Sequence, residues 1–468
     1  MVAGWSYMRS GVMRPASAIA GIAAVIAFGP TGAGAQTLDQ ALVAAYFNNP
    51  TLNAQRAATR VVDERVPQAL SGFRPQISAA AEAGVVWQRT RTKAGMTTSG
   101  TIHPNGYGLS LTQNVFNGFR TINQTRSAES QVLGSRETLR NTEQNVFLDA
   151  VIAYMDVLRD GAIVELQRQN LEALREQQRA TRDRFEVGEL TRTDVAQADA
   201  RVAQAESALS AARAQLTASR AAFRRDIGED PRRLVAARPV EHILPRALDA
   251  AIGLGEQQHP AIAAARHGVD TAQLEVKVAE GELLPIVSLE GNVSRSHNSS
   301  ANVDSAADAS LFGRLTVPIY QGGAEYSRIR ESKETLGQRR LEADVTRDQV
   351  RAAVIQSFGL LAASRDQVEA AQAQITAAQV ALNGVQEEFR VGQRTTLDVL
   401  NAQAELVSAR SALITAQRDR VVNSYSLLAA IGRLNPDTLN LRVQAYHPEV
   451  HYNQVRDSWF GVRTPDGR

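Results

Sequence analysis

The stretch Val187-Gly-Glu-Leu-Thr-Arg-Thr-Asp-Val195 returns 204 positions later as Val391-Gly-Gln-Arg-Thr-Thr-Leu-Asp-Val399. The likeness extends further, because 12 of 25 positions are identical between residues 185–209 and 389–413. Glycine suits the left-handed position that ends a helix. A threonine followed three residues later by aspartate fits a capping box for the next helix, with aspartate in place of the usual glutamate. Each stretch therefore predicts a turn between two helices.

Most of the chain is an internal sequence duplication. Leu111 to Gly118 aligns with Leu315 to Gly322 at the same offset of 204, and earlier segments align at 210, where Asn49-Pro50 matches His259-Pro260. A period near 200 is too long for a solenoid repeat. We predict two copies of one structural unit, residues 36–239 and 240–435, followed by a C-terminal tail at 436–468.

Composition narrows the function. The formal charge is only +2 over 468 residues, so the chain lacks the strong positive charge that is typical of nucleic-acid-binding proteins. The chain has no cysteine, which excludes disulfides, thiolate chemistry and a lipid anchor on an N-terminal cysteine. Neither a nucleophile elbow nor an HExxH motif is present. We therefore expect neither an enzyme nor a protein with a cofactor or metal.

The first 35 residues are typical of an export signal. Arg9 and Arg14 precede an apolar run over 16–28, and Ala33-Gly-Ala35 fits the small-x-small cleavage rule. The alternative is an N-terminal membrane anchor, although the run is short for a spanning helix. No later run is long enough for one, so any further membrane crossing would have to use strands.

Two segments change to a period of two, which predicts β-hairpins at 76–116 and 286–319. Apolar and polar residues alternate over 76–88, 107–115, 287–294 and 311–319, with polar loops expected at 93–105 and 297–308. Each run has the length of a tilted strand that crosses a bilayer. The alternative is a pair of hairpins that cover a soluble core.

Four strands cannot close a barrel, and open strand edges are not tolerated in lipid. If these hairpins cross a membrane, several chains must share one barrel. Oligomerisation therefore follows from the membrane hypothesis.

Long helices are predicted on both sides of each repeated turn, over about 121–187 and 192–227 in the first copy and within 322–432 in the second. A heptad with small residues at alternate seam positions follows each turn and favours closely packed helices. Its members are Val195, Val202, Leu209, Leu216 and Phe223, with Ala198, Ala205, Ala212 and Ser219, and in the second copy Val399, Leu406 and Leu413, with Ala402, Ala409 and Ala416.

Together, the export signal, the duplication, the two hairpins and the paired helices joined by VGxxTxxDV resemble the TolC family of outer-membrane efflux and secretion channels. The resemblance covers about 37–435 and is most specific over 391–403. Within the family, the chain is more similar to the non-lipidated branch. The arrangement of its elements is more similar to that of the type I secretion subgroup. It implies an α+β membrane protein, located in the cell outer membrane with a helical tunnel in the periplasm.

The resemblance also implies partners. Three chains would each supply four strands to one transmembrane β-barrel in the outer-membrane lipid. Their helical hairpins would close the far end of the tunnel and dock on a periplasmic adaptor (membrane fusion) protein, with docking expected at Val187, Gly188, Val391 and Gly392. Energy would come from an inner-membrane ABC transporter or a proton-driven pump.

Six positions fall on the family's periplasmic gate. Thr193 and Asp194 match its first-copy partners, Arg394 matches its second-copy arginine, and Asp398 matches the first carboxylate ring that narrows the lumen. Two positions depart from the family pattern. Phe389 stands where a closing tyrosine is expected, and Asn401 stands where a second aspartate ring is expected.

Other interpretations stay open. A periplasmic coiled-coil scaffold without a pore would share the heptads and caps, and a multidrug efflux channel would share the whole pattern. His447 and His451 are four apart like metal ligands, but Pro448 lies between them and a third ligand is not evident, so a solvated tail is the better interpretation. The tail at 436–468 fits either partial disorder or a short wrap around the periplasmic part.

Overall fold

The computed structural model describes residues 35–300 and 303–467. The predicted export signal at 1–35 lies outside the described residues except for Ala35. The helices are α1 (Leu38–Asn48), α2 (Pro50–Asp63), α3 (Arg65–Leu70), α4 (Arg120–Glu186), α5 (Arg192–Ile227), α6 (Leu248–Gln258), α7 (Pro260–Glu280), α8 (Ala324–Arg390), α9 (Thr396–Ala430) and α10 (Pro448–Val455). The strands are β1 (Gln76–Ala83), β2 (Val86–Arg91), β3 (Thr97–Ile102), β4 (Asn105–Asn117), β5 (Ile286–Ser300) and β6 (Val303–Thr316).

The two copies meet in one antiparallel sheet of order β1-β4-β5-β6. One row across this sheet is Ile77, Leu111, Gly291 and Leu311, and the next is Ser78, Ser110, Asn292 and Ser310. Apolar and polar rows therefore alternate through the sheet in register. Ile77 and Leu311 are 70% and 67% exposed, so nothing in the described part of the chain covers these apolar side chains.

The strands differ from the predicted bounds in three places. The run at 76–88 is interrupted at 84–85, and β2 and β3 form a separate two-stranded extension. The loops predicted at 93–105 and 297–308 were wrong, because β3, the end of β5 and the beginning of β6 occupy them. Threonine favours extended backbone even where neither face is buried, and Thr97, Thr98 and Thr101 lie in β3.

The end of the last strand was also predicted too late. β6 ends at Thr316, so Val317 and Ile319 do not continue its apolar face. Pro318 has no N–H to donate to a neighbouring strand, and proline inside a sheet removes a ladder hydrogen bond.

The long helices lie within one residue of the predicted bounds at the first turn. α4 and α8 each have 67 residues, which corresponds to about 100 Å. Within the described residues, none of the helices combines the length and the apolar character that a membrane crossing requires.

The main core lies midway along α4 and α8 and at the C-terminal ends of α5 and α9. Phe147 and Tyr154 of α4, Phe223 of α5, and Leu427 and Leu428 of α9 are fully buried there. The Tyr154 hydroxyl accepts a hydrogen bond from the Val235 N–H at 3.1 Å and lies within 2.8 Å of the Gln36 and Val235 carbonyls. This core fixes one end of each hairpin and leaves the turns at the other end.

The C-terminal tail is a wrap. α10 packs against α2, where His451 Nδ1 lies 2.9 Å from Asp63 Oδ2. Farther along, Arg74 donates to the Ser458 carbonyl at 2.6 Å and stacks over the Trp459 ring. The tail thus ties itself to the first copy, and His451 serves as a partner of a buried carboxylate.

Candidate functional site

Two helical hairpins, α4–α5 (the first hairpin) and α8–α9 (the second hairpin), both end in turns that follow the predicted capping chemistry. Gly188 and Gly392 have φ of +81° and +79°, the left-handed conformation that glycine adopts without strain. Thr191 and Thr395 cap α5 and α9 through complete capping boxes with Asp194 and Asp398. The turns are therefore alike because each must end one long helix and start another.

The capping geometry keeps both aspartates ionised. Hydrogen bonds from the Thr191 hydroxyl and N–H, at 2.7 and 3.0 Å, lower the pKa of Asp194 below its ordinary value. For Asp398 the N–H of Thr395 is the main cause of a lowered pKa, and the Thr395 hydroxyl adds to it, both at 2.9 Å. Both carboxylates also favour helix formation, since negative charge at a helix N-terminus is stabilising.

The apolar tips are open to solvent. Val187 and Val391 are 72% and 70% exposed, and space is free around the Cα atoms of both turn glycines. Exposed apolar side chains at the tips of two long hairpins are suited to docking, but the adaptor contact stays a prediction.

Arg394 contacts a residue that the sequence reasoning did not select. Its Nε atom lies 2.6 Å from Glu388 Oε2 across the turn of the same hairpin, and this pairing raises the pKa of the arginine further. Within one chain, Arg394 is not brought to Thr193 or Asp194. The contact of Arg394 with these gate positions, which the family resemblance implies between neighbouring hairpins, therefore stays a prediction, and Thr193 is exposed in the single chain.

Phe389 and Asn401, the two positions predicted to depart from the family's gate pattern, both contact the first hairpin. The Arg184 guanidinium carbon lies 5.3 Å from the centroid of the Phe389 ring. Arg201 donates from Nη2 to Asn401 Oδ1 at 2.7 Å. Sequence reasoning missed both arginines because a separation of 200 residues leaves no local signal.

Thr396 lies between the two hairpins. It is 1% exposed and begins α9 beside Asp194 of the first hairpin. Next to it in space, Leu400 of α9 is buried among Leu174 and Val202 of the first hairpin. The hairpins thus pack on each other near their tips through a small apolar contact.

The two hairpins are held together internally in different ways. In the first, Arg175 and Arg182 of α4 form ion pairs with Glu206 and Asp199 of α5 at 2.6 and 2.7 Å. In the second, Arg410 of α9 donates to Gln379 Oε1 of α8 at 3.1 Å, beside a small cluster of Ala378, Leu382 and Leu406. The helices of the first hairpin are therefore joined by ion pairs, and those of the second by a hydrogen bond to a neutral amide beside an apolar contact.

This arrangement of a duplicated helical hairpin and a shared sheet matches one protein family. The model described as outer membrane efflux protein matches residues 41–229 and again residues 251–433. The chain belongs to the outer membrane efflux protein family. It is a TolC-family export channel, and its place is the outer membrane, with its helical tunnel in the periplasm.

Individual members support the assignment. The chain is 45% identical to outer membrane efflux protein BepC of Brucella suis over 92% of this chain and 93% of that protein. It is 25% identical to outer membrane protein TolC of Escherichia coli, over 86% of this chain and 84% of that protein. The crystal structure of the Campylobacter jejuni CmeC outer membrane channel superposes with a TM-score of 0.77 at 16% identity, covering 90% and 89% of the two chains. These matches confirm the resemblance and the fold that it implied.

Proposed function

We propose that three copies of this chain form one export channel, with a shared β-barrel in the outer membrane and a closed helical end in the periplasm. The observation that supports the assembly is the sheet β1-β4-β5-β6, whose outer edges at β1 and β6 have no partner strand within the described chain. Its exposed apolar rows suit lipid, and unpaired edges in lipid cost several kcal/mol for each backbone group. Pairing of β6 with β1 of the next chain removes both edges.

The closed end is formed by the hairpin tips. Arg394 of one chain reaches Thr193 and Asp194 of its neighbour when the tips converge, in exchange for its Glu388 partner. Asp398 contributes a single ring of three carboxylates, and Asn401 leaves the next ring uncharged. Hydrogen bonds to charged groups contribute about 1.5–3 kcal/mol each. Such a closed state can be overturned by an adaptor that binds the open state better.

The exposed tips Val187, Gly188, Val391 and Gly392 dock on the periplasmic adaptor. An inner-membrane ABC transporter or proton-driven pump supplies the energy, and the channel itself is a conduit. Type I secretion is the proposed role, because the arrangement of the elements resembles that of the type I secretion subgroup. Small-molecule efflux is the second candidate, and the efflux name of the Brucella suis relative favours it.

Cell fractionation tests the assembly. We expect detergent-resistant, heat-modifiable oligomers in the outer membrane. A soluble, elongated monomer in the periplasm would instead support the scaffold without a pore.

Two further experiments address the gate and the cargo. In planar bilayers, Arg394→Ala should raise single-channel conductance, and unchanged conductance would remove Arg394 from the gate. Crosslinking followed by pull-down identifies the energy source. Recovery of an ABC transporter supports secretion, whereas recovery of a proton-driven pump supports efflux.

A further inference from the structure

Two arginines of the first hairpin contact the two positions where this chain departs from its family. Arg184 lies near the end of α4 and faces Phe389 near the end of α8. Arg201, in the third turn of α5, reaches Asn401, in the second turn of α9. Each contact therefore joins one helix of the first hairpin to its counterpart in the second.

The contacts lie at different heights along the hairpins. Arg184 is close to the turn, whereas Arg201 lies nine residues beyond the start of α5, a rise of about 14 Å. One contact alone would let the second hairpin pivot about it. Two contacts on different helix pairs resist both sliding and rotation of the second hairpin against the first.

Other arginines of the first hairpin form ion pairs within that hairpin and do not contact the second. Arg175 and Arg182 pair with carboxylates of α5 inside the first hairpin. Arg201 is oriented by a second hydrogen bond, from Nη1 to Gln204 Oε1 at 3.2 Å. An arginine in the same hairpin without a contact to the second, such as Arg175, therefore provides a matched control.

The chemistry suits the residues at both positions. A phenylalanine has no hydroxyl to offer, but its ring face attracts a guanidinium. A neutral asparagine offers an amide oxygen to Arg201, and a hydrogen bond with one charged partner is stronger than a neutral one. Leu400, the neighbour of Asn401, is buried against the first hairpin, so the Arg201–Asn401 bond lies at the edge of an apolar contact.

We propose that Arg184 and Arg201 are positioning residues that fasten the second hairpin to the first within each chain and so hold the channel end closed. This inference rests on the proposed channel function. Phe389 and Asn401 then accept the contacts from Arg184 and Arg201 that join the two hairpins. Their departure from the family pattern therefore exchanges one set of contacts for another.

The test is single-channel conductance of the purified full chain in planar bilayers. Loss of either contact should shift the closed-to-open ratio by about threefold for each chain, as expected for a partly exposed contact of a charged group. If the three chains open together, the effect multiplies to roughly thirtyfold. Arg201→Ala and Asn401→Ala should have equal effects, and the double variant should add nothing further, because both remove one bond. Arg184→Gln and Phe389→Leu should behave likewise, while the control Arg175→Ala should leave conductance unchanged.

One variant strengthens the contact. Asn401→Asp creates a charge pair with Arg201 and should raise the fraction of closed channels, and this gain should vanish when combined with Arg201→Ala, where only the added carboxylate ring remains. A heat-modifiable oligomer on gels shows that each variant assembles. If the unaltered chain forms channels and the Arg184 and Arg201 variants have the same conductance, the proposed role of these two arginines is refuted, and the proposed channel function is not. If the unaltered chain forms no channel, the proposed function itself fails.

Discussion

Glu143 of α4 makes the stability of this protein depend on pH in an unusual direction. Burial raises the pKa of its carboxyl from the ordinary 4.5 to about 7, and Asp437 raises it too, against the lowering effect of Arg56 and Arg140. The folded chain therefore holds a proton that the unfolded chain releases above 4.5. The contribution of Glu143 to the free energy of unfolding is most favourable at low pH, falls as pH rises from 4.5 to about 7, and is constant above that.

The difference between the two pKa values corresponds to about 3 kcal/mol per chain at about 1.4 kcal/mol per unit. Glu143→Gln keeps the shape and removes the titration. We expect the variant to be more stable than the unaltered chain by about 3 kcal/mol at pH 8, and by less than about 1 kcal/mol at pH 4.5.

The measurement is thermal unfolding of the purified protein in detergent, followed by tryptophan fluorescence at both pH values. The exposed Glu369 of α8 gives the control, since Glu369→Gln should change little at either pH. A Glu143→Gln variant that gains nothing at pH 8, or gains equally at pH 4.5, would refute the reasoning.

Three further expectations concern the core, the tips and the tail. Tyr154→Phe should lower the free energy of unfolding by about 0.5–1.5 kcal/mol, because the hydroxyl no longer donates to the Gln36 or Val235 carbonyl, while Tyr326→Phe on an exposed face should be neutral. Asp398 of the proposed channel should stay ionised as pH falls towards 4, because its pKa is lowered. The cation preference that its carboxylate ring would give in planar bilayers should therefore persist there, and its loss at pH 5 would contradict this expectation. His451→Ala should leave the buried Asp63 carboxylate without its histidine and speed tryptic cleavage in the tail, which His447→Ala should not do.

The sequence predicted the long helices and their turns well, because their causes are local. Gly188 and Gly392 must adopt positive φ, and the capping threonines precede their aspartates by three residues. The strands were less predictable. Polarity marked residues 297–308 as a loop, yet neighbouring strands of the sheet hold most of them in extended pairs that no local pattern records.

By itself, then, the sequence determined the duplication, the helical hairpins, the alternating strand faces and the family, since each depends on periodicity or on residues close in the chain. Only the tertiary structure decided which arginines join the hairpins, where Arg394 binds within the chain, and that the tail packs on α2. These contacts link residues separated by as many as several hundred positions, such as Asp63 and His451, or by a turn that brings Glu388 to Arg394. Side-chain pairing of this kind depends on how helices dock, and docking is set by the sum of many buried contacts rather than by any one segment.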